Sequence, residues 1–594
     1  MHRRSVPVKT MGSNLLIFIS GINMKFRPII QSLSLLAFLF LLTSAIYSGI
    51  DLVVPDLYLR MDPILILGSA LSGRIFLFTF IPALIVILIT VLFGRLFCGY
   101  ICPMGITIDC SDRILNLKKK KGAGRNNLYG FKYFILFFIV GAGIFGVSAV
   151  FFGSPLSLIT RFYGLLIYPV LALLSQIGLS LIQPIAERFE IYGLVYSDIS
   201  APRYSILFFI LLFFTGIFAA GKINSRFWCR YLCPSGAILA LFSRRPLVRR
   251  VVSHACTGCG KCVRACPMGA IEKETPKNTS FAECIGCMTC KDVCPENAVS
   301  FNINGAKKKN IPDFIPERRT LLYSGVSGAI FATVNLSGLN SLYGKPGVGR
   351  VSPKGLVRPP GARPEDDFLA LCVRCGECMA SCPNNALQPI WFDAGNEGLF
   401  SPSLVPKRGA CSPDCNNCGT VCPTGAIRPL EISERRWAKA GTARVMRERC
   451  LAWEQQKRCM VCDEVCPYSA VKFRDEPGNP VPVPEILEER CAGCGFCEYH
   501  CPVQNQSAII VTPMGALRLN EGSFMEQGKS QGLNISLAHK EKKEQAGNTG
   551  YPYDSSQGNG GEAPGFESDA PGFEGGPSGF DEETDEGFAP GFTE

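Results

Sequence analysis

The sequence predicts a bundle of membrane helices, about four spans and a fifth anchor helix, joined to two small α+β cysteine-rich domains and a disordered acidic tail. Three observations predict it. Long apolar runs crowd the first 240 of 594 residues. Twenty-four of the 29 cysteines fall into six groups of four at short spacing. No Lys or Arg follows Lys543.

The apolar half comes first. Runs at about 29–50, 75–97, 131–152 and 204–221 reach or approach the ~20 residues that cross a hydrocarbon core. Basic residues mark one side: Lys25 and Arg27 before the first run, Lys118–Lys121 after the second, and Arg244, Arg245, Arg249 and Arg250 after the fourth. By the positive-inside rule these are cytoplasmic, and four spans satisfy the parity. The apolar stretch 163–183 then reads as a re-entrant or interfacial helix on the far side. The basic N-terminus lacks the small-residue cleavage site of a secretory signal. Net charge is +11, and basic residues flanking spans account for it, so nucleic acid is excluded as a partner and membrane lipid is expected.

The cysteines carry the chemistry. A chain this long has no need of disulfides to fold. Cys256, Cys259, Cys262 and Cys266 are followed by Cys284, Cys287, Cys290 and Cys294, each group spaced Cys-x2-Cys-x2-Cys-x3-Cys-Pro. Tandem groups of this kind are the bacterial two-cluster ferredoxin signature, in which three thiolates wrap one [4Fe–4S] cube and the fourth reaches its neighbour. Cys256, Cys259, Cys262 and Cys294 therefore make one set, and Cys284, Cys287, Cys290 and Cys266 the other. A zinc site, built from two separated Cys-x2-Cys pairs, fits poorly.

Four more groups follow: Cys372, Cys375, Cys378, Cys382; Cys411, Cys415, Cys418, Cys422; Cys450, Cys459, Cys462, Cys466; and Cys491, Cys494, Cys497, Cys501. The outer two are regular and flank two irregular ones. Neighbours can pair in sequence, or the outer groups can pair around the inner. The flanking pattern favours the nested order, with Cys501 joining the first group, Cys382 the fourth, Cys466 the second and Cys422 the third. Six [4Fe–4S] clusters are expected, with the same 24 cysteines as iron ligands. The chain then divides into a transmembrane domain (1–250), a two-cluster ferredoxin-like iron–sulfur domain (251–305), a twin-arginine-like segment and anchor helix around Arg318-Arg319 (306–345), a Pro/Gly linker (346–365), a four-cluster ferredoxin-like domain (366–515), and a linker with a disordered acidic Gly/Phe/Pro-rich tail (516–594).

Two further motifs stand at membrane ends: Cys98-x3-Cys102-Pro103 and Cys229-x3-Cys233-Pro234. Buried inert cysteines are the bland alternative. Two copies at equivalent places favour a redox dithiol set or a further metal site. Cys110 has no companion. Tyr100, Arg95 and Arg230 sit where a quinone headgroup would be met. No Cys-x-x-Cys-His, Gly-x-Gly-x-x-Gly or Walker loop is present, which excludes covalent haem and gives no nucleotide site.

Taken together, residues 1–300 resemble the NapH-type membrane ferredoxins of periplasmic nitrate reduction, in their spans, their paired Cys-x3-Cys-Pro motifs and their two-cluster module. Residues 318–515 resemble the NapG/MauM-type four-cluster ferredoxins, in the twin arginines, Arg358-Pro359-Pro360-Gly361-Ala362 and the irregular groups ending at Cys491-Ala-Gly-Cys494-Gly. The chain looks like the two fused. The resemblance implies an electron-transfer subunit of the bacterial inner membrane with quinol dehydrogenase activity. Residues 251–305 would be cytoplasmic and 346–594 periplasmic, passing electrons from the quinol pool to a periplasmic cytochrome or terminal reductase. It also supports nested pairing. Two alternatives come from other classes: a copper-handling or oxidase assembly factor using the Cys-x3-Cys-Pro thiols, and ferredoxin-to-quinone flow in the reverse direction.

Overall fold

The computed structural model describes residues 26–47, 54–75, 78–114, 127–189, 201–303, 318–336, 355–393 and 395–537. The basic N-terminus, Lys118–Lys121, the 346–354 stretch of the linker and the acidic tail lie outside the described residues.

The apolar half is a duplicated helical unit. In the first copy a long helix, α1 (Phe26–Ile46), precedes a short one, α2 (Pro63–Ser72), then α3 (Ile81–Phe93) and α4 (Pro103–Ile114). The second copy repeats the order with α5 (Phe131–Ile144), α6 (Pro155–Phe162), α8 (Leu207–Ala219) and α9 (Pro234–Phe242). In the second copy only, α6 continues through a π turn at Tyr163–Ile167 into α7 (Tyr168–Arg188). Both short helices start at a side-chain cap followed by proline: Asp62-Pro63 and Ser154-Pro155. Such a cap satisfies an orphan N–H, and proline at the first position loses none. Neither cap lies inside an apolar run: the runs 75–97 and 131–152 are α-helical only over Ile81–Phe93 and Phe131–Ile144.

Helix lengths therefore differ from the expected four spans. Among the described residues two helices are long and apolar enough to cross a membrane, Phe26–Ile46 and Pro155–Arg188. The helices in the other three expected spans are shorter. The stretch 163–183 is no separate re-entrant element: it belongs to the 34-residue helix Pro155–Arg188. Apolar side chains nonetheless face outward along α1 (Ile29, Leu33, Leu36, Phe40), α3 (Leu84, Ile85, Leu88) and α8 (Phe208, Leu211, Leu212).

The first cysteine-rich module docks at the start of α5. Glu283, 6% exposed, lies between Lys132 Nζ (2.6 Å) and Arg95 Nη1 (3.1 Å). The Tyr129 hydroxyl donates to Met268 O at 2.6 Å. The module's strands β1 (Val248–Val252) and β2 (Val299–Ile303) pair antiparallel, Val248 opposite Ile303, enclosing both cysteine groups.

The second cysteine-rich domain docks at the other end of α5. Arg374 Nη1 reaches Ser148 O at 3.3 Å, Ser72 Oγ donates to Ala370 O at 2.7 Å, and Tyr204 donates to Met379 O at 3.1 Å. Helix α10 (Arg318–Leu336), the expected anchor, also packs on α5, backbone to backbone, with Gly325 against Gly141 and Gly328 against Phe138. Small residues permit that approach. This order makes α10 antiparallel to α5, the reverse of the direction that a crossing from the first module toward the second requires. The opposite placement of the two modules rests on their docking contacts, not on α10.

The second domain contains the same wrapping twice. Isolated bridges Val357–Leu404 and Ala362–Ile427, with β3 (Leu387–Pro389) on β4 (Pro402–Leu404), enclose the first two cysteine groups. Strand β5 (Thr442–Val445) on β8 (Ile509–Thr512), with β6 (Val471–Arg474) on β7 (Val483–Ile486), encloses the last two. Buried Arg358 pins the start of this domain: it pairs with Glu365, donates to Pro402 O at 2.8 Å and stacks 4.6 Å from the Phe368 ring centroid. Gly361, at φ +76°, makes the turn that follows it.

Replacing Glu283 by Ala strands two buried cations. The expected cost is about 3–5 kcal/mol, read as a lower unfolding midpoint and earlier proteolytic release of the first module; an unchanged midpoint contradicts the docking role.

Candidate functional site

Each cysteine group is shaped by backbone before side chain. In the four regular groups the residues on either side of the second cysteine are left-handed: Gly258 and Gly260, Gly286 and Met288, Arg374 and Gly376, Gly493 and Gly495. Two left-handed residues around one cysteine curl the loop so that its amides turn inward. Glycine takes this conformation freely; Met288 and Arg374 pay strain for it. In the irregular groups no left-handed residue flanks Cys415 or Cys459.

The fourth cysteine of each group is fixed by the proline after it. Cys-Pro-x-x-Ala recurs, and the alanine N–H donates to the sulfur: Ala270 to Cys266 (3.3 Å), Ala298 to Cys294 (3.4 Å), Ala386 to Cys382 (3.3 Å) and Ala470 to Cys466 (3.3 Å). Ile427 does this for Cys422 and Ala508 for Cys501. Amide donors to sulfur favour the anionic thiolate and tune the potential of what it holds.

Three cages are seen directly as cavities of about 20 Å³ each. One is lined by Cys284, Cys287, Cys290 and Cys266, the set expected for the first module. A second is lined by Cys411, Cys415, Cys418 and Cys382, and a third by Cys491, Cys494, Cys497 and Cys466. Cys422 lies in the field of Cys372, Cys375 and Cys378. Cys450 shares a small core with Cys501. Neighbouring groups therefore pair in sequence, the first with the second and the third with the fourth. The nested expectation is overturned, because strand pairing closes each pair of groups into its own two-cage unit. The two units meet at Cys411, whose N–H donates to Cys494 O at 2.8 Å.

These cages fit [4Fe–4S] clusters: four thiols each, no carboxylate or histidine in the three cavity walls and amides aimed at sulfur. No described cysteine is in a disulfide. Among the described residues no three His, Cys, Asp or Glu side chains close to the spacing of a single ion. Burial pushes the Cys382 thiol up to about 11 and the Cys462 thiol up to about 12, so iron must displace protons on binding. Buried arginines supply countercharge. Arg435 Nη2 lies 2.7 Å from Cys411 Sγ, and Arg250 Nη2 lies 3.6 Å from Cys262 Sγ.

The two Cys-x3-Cys-Pro motifs converge. Cys98, Cys102, Cys229 and Cys233 line one buried cavity of about 20 Å³ with Asp62, Arg95 and Ser235. Each motif is a π turn, Phe97–Ile101 or Trp228–Leu232, followed by a helix whose first residue is proline. The copies reach into one another. Arg95 packs against Gly236, and Arg226 against Gly105, with Arg226 Nη1 donating to Cys98 O at 2.9 Å. Cys110 is exposed and apart. Sequence reasoning missed Arg226 and Asp62. The aligned pattern Arg-x2-Cys-x3-Cys-Pro-x-Gly, read at 95 and 226, was the available signal for the first. Of the expected quinone contacts, Tyr100 lines a large apolar cavity, Arg95 is at the thiol tetrad and Arg230 binds the Tyr129 hydroxyl at 2.8 Å.

Comparison with known proteins agrees on the chemistry. A 4Fe-4S binding domain model matches residues 75–122 and 206–253, and another matches 369–388; 4Fe-4S dicluster domain models match 255–299 and 457–505. The fold and its thiol cages define an iron–sulfur electron-transfer protein of the ferredoxin type. Methylamine utilization ferredoxin-type protein MauM of Methylorubrum extorquens is 37% identical over 33% of this chain and 90% of its own length. Ferredoxin-type protein NapG of Escherichia coli is 33% identical over 30% of this chain and 79% of its own length. The chain belongs to this family of MauM- and NapG-related ferredoxin-type proteins. No solved structure matches it.

Replacing Arg435 by Gln removes a positive charge beside Cys411. The potential of that cluster is expected to fall by about 60 mV, one tenfold step for a one-electron couple, in an EPR-monitored redox titration; an unmoved set of potentials contradicts the contact's role.

Proposed function

We propose that this protein is a membrane-bound iron–sulfur electron carrier that takes electrons from quinol and passes them to a redox partner beyond the four-cage domain. Six [4Fe–4S] clusters are held by the 24 cysteines in the neighbour-paired sets described above. The observation that carries the reading is the apolar cavity of about 460 Å³ beside the first module. Its walls come from the outward face of α3 (Pro82, Ile85, Ile89, Phe93) and from Cys284, Gly286 and Met288. A hydrophobic two-electron donor entering from lipid would meet a cluster ligand there. Tyr100 and Arg250 supply the polar edge.

Outward apolar faces on α1, α3 and α8 support a bilayer around the bundle, since only lipid solvates such surface in bulk. Arg244, Arg245 and Arg249 beside the first module support its cytoplasmic placement. The four-cage domain would then face the periplasm, toward a cytochrome or terminal reductase. Quinol gives up two electrons and two protons. Cys284, Cys287, Cys290 and Cys266 would hold the cluster that accepts these electrons one at a time, the two protons passing to water. The protein residues bind the quinol and exclude water, while the clusters supply one-electron storage with little rearrangement.

Ile89→Trp narrows the cavity beside the Cys284 loop. Reduction of the clusters by a soluble quinol analogue is expected to be lost while dithionite still reduces them all. Full quinol-driven reduction in this variant contradicts the site.

A further inference from the structure

We infer that the four thiols of Cys98, Cys102, Cys229 and Cys233 hold a seventh iron–sulfur cluster, of the [4Fe–4S] size, that joins the two sets of cages through the bundle. The inference rests on the electron-carrier reading above and adds the link that reading lacks.

Four features converge on this cavity. Its volume, about 20 Å³, equals that of three ferredoxin cages, and like them it is lined by four cysteines. Neither domain match containing a Cys-x3-Cys-Pro motif, 75–122 or 206–253, encloses both pairs, so the site exists only where the copies meet. Four helices begin here: α2 at Pro63, α4 at Pro103, α6 at Pro155 and α9 at Pro234, each with proline at or beside its first position. Pro63 and Pro155 line the cavity themselves. Helix N-termini carry partial positive charge and unpaired N–H groups, which favour an anion. The N–H of Gly236 already donates to Cys233 Sγ at 3.2 Å.

Arg95 is the independent sign of a ligand. It is 1% exposed, lines the cavity, and leaves Nε and Nη2 without partners. A buried guanidinium with unused donors is costly unless an acceptor completes it. A cluster's sulfides and thiolates are such acceptors. Asp62, the one acid in the wall, is turned to Ser154 Oγ (2.6 Å), Ser235 Oγ (2.5 Å) and Ile64 N (3.2 Å).

The position supplies the role. On one side the motif touches the loop between Cys284 and Cys287: Tyr100 donates to Gly286 O at 3.0 Å, and Gly99 lies against Ile285 O. On the other, α6 starts at the cavity and ends on the loop between Cys372 and Cys375, through Ser157 Oγ to Val373 O (2.8 Å) and Arg161 Nε to Arg374 O (3.0 Å). Its eight residues span ~12 Å at about 1.5 Å per residue. One electron enters from the Cys284 cluster as one leaves to the Cys372 cluster, with no bond made or broken.

The test is iron content with Mössbauer spectroscopy on the full chain, purified anaerobically. Wild type is expected to hold about twenty-eight irons and the Cys98→Ser/Cys229→Ser variant about twenty-four, while Cys110→Ser matches wild type. In the double variant quinol still reduces the first module's clusters, but electrons no longer reach the four-cage domain. A wild-type count of about twenty-four, zinc, or a disulfide at the motifs overturns the inference, and the wild-type count decides even if the double variant does not fold. Failure of quinol to reduce any cluster in wild type overturns the proposed donor and leaves the iron count to judge the seventh site.

Discussion

Everything in this molecule depends on bringing four sulfurs of one chain around one cavity and making that place tolerable for negative charge. Thiolates repel one another, and burial penalises each of them. The chain answers with oriented N–H groups. In the soluble cages these come from left-handed turns and from the Cys-Pro-x-x-Ala hook. In the bundle they come from helix starts. Arginine completes both: Arg435 and Arg250 in the soluble cages, Arg95 at the tetrad. Chemistry that looks different in sequence is one electrostatic solution built from two kinds of secondary structure.

The bundle is organised around the same demand. The Asp62-Pro63 and Ser154-Pro155 starts set the beginnings of α2 and α6 at the thiol tetrad. Helix starts there leave backbone N–H groups that are costly to bury unless they meet a partner or a ligand. The Glu283, Lys132 and Arg95 cluster ties the first module to this same level. A single arginine thus serves both the docking of a module and the wall of the tetrad.

Much of this was legible in sequence, and the failures share a cause. The regular groups announced their cages because spacing within ten residues fixes three ligands. The fourth ligand comes from another group, and which group is decided by strand pairing tens of residues away. The regular spacing of the outer groups suggested nesting. The pairing of β5 with β8 and of β6 with β7 shows instead that the irregularity of the third group lies inside a unit it shares with the fourth. Likewise the two Cys-x3-Cys-Pro motifs were visible, but their convergence, the reciprocal Arg95 and Arg226 contacts and the role of Asp62 depend on tertiary packing. Hydropathy located the apolar segments but not where their helices end: the run 131–152 is α-helical only to Ile144.

The direct measurement is electron passage through the bundle in sealed vesicles holding the oriented full-length protein. A membrane-impermeant reductant is supplied only on the side of residues 251–303, and the clusters of residues 356–537 are followed by EPR. The account predicts that the far clusters become reduced; reduction confined to the clusters on the side of the reductant would contradict it.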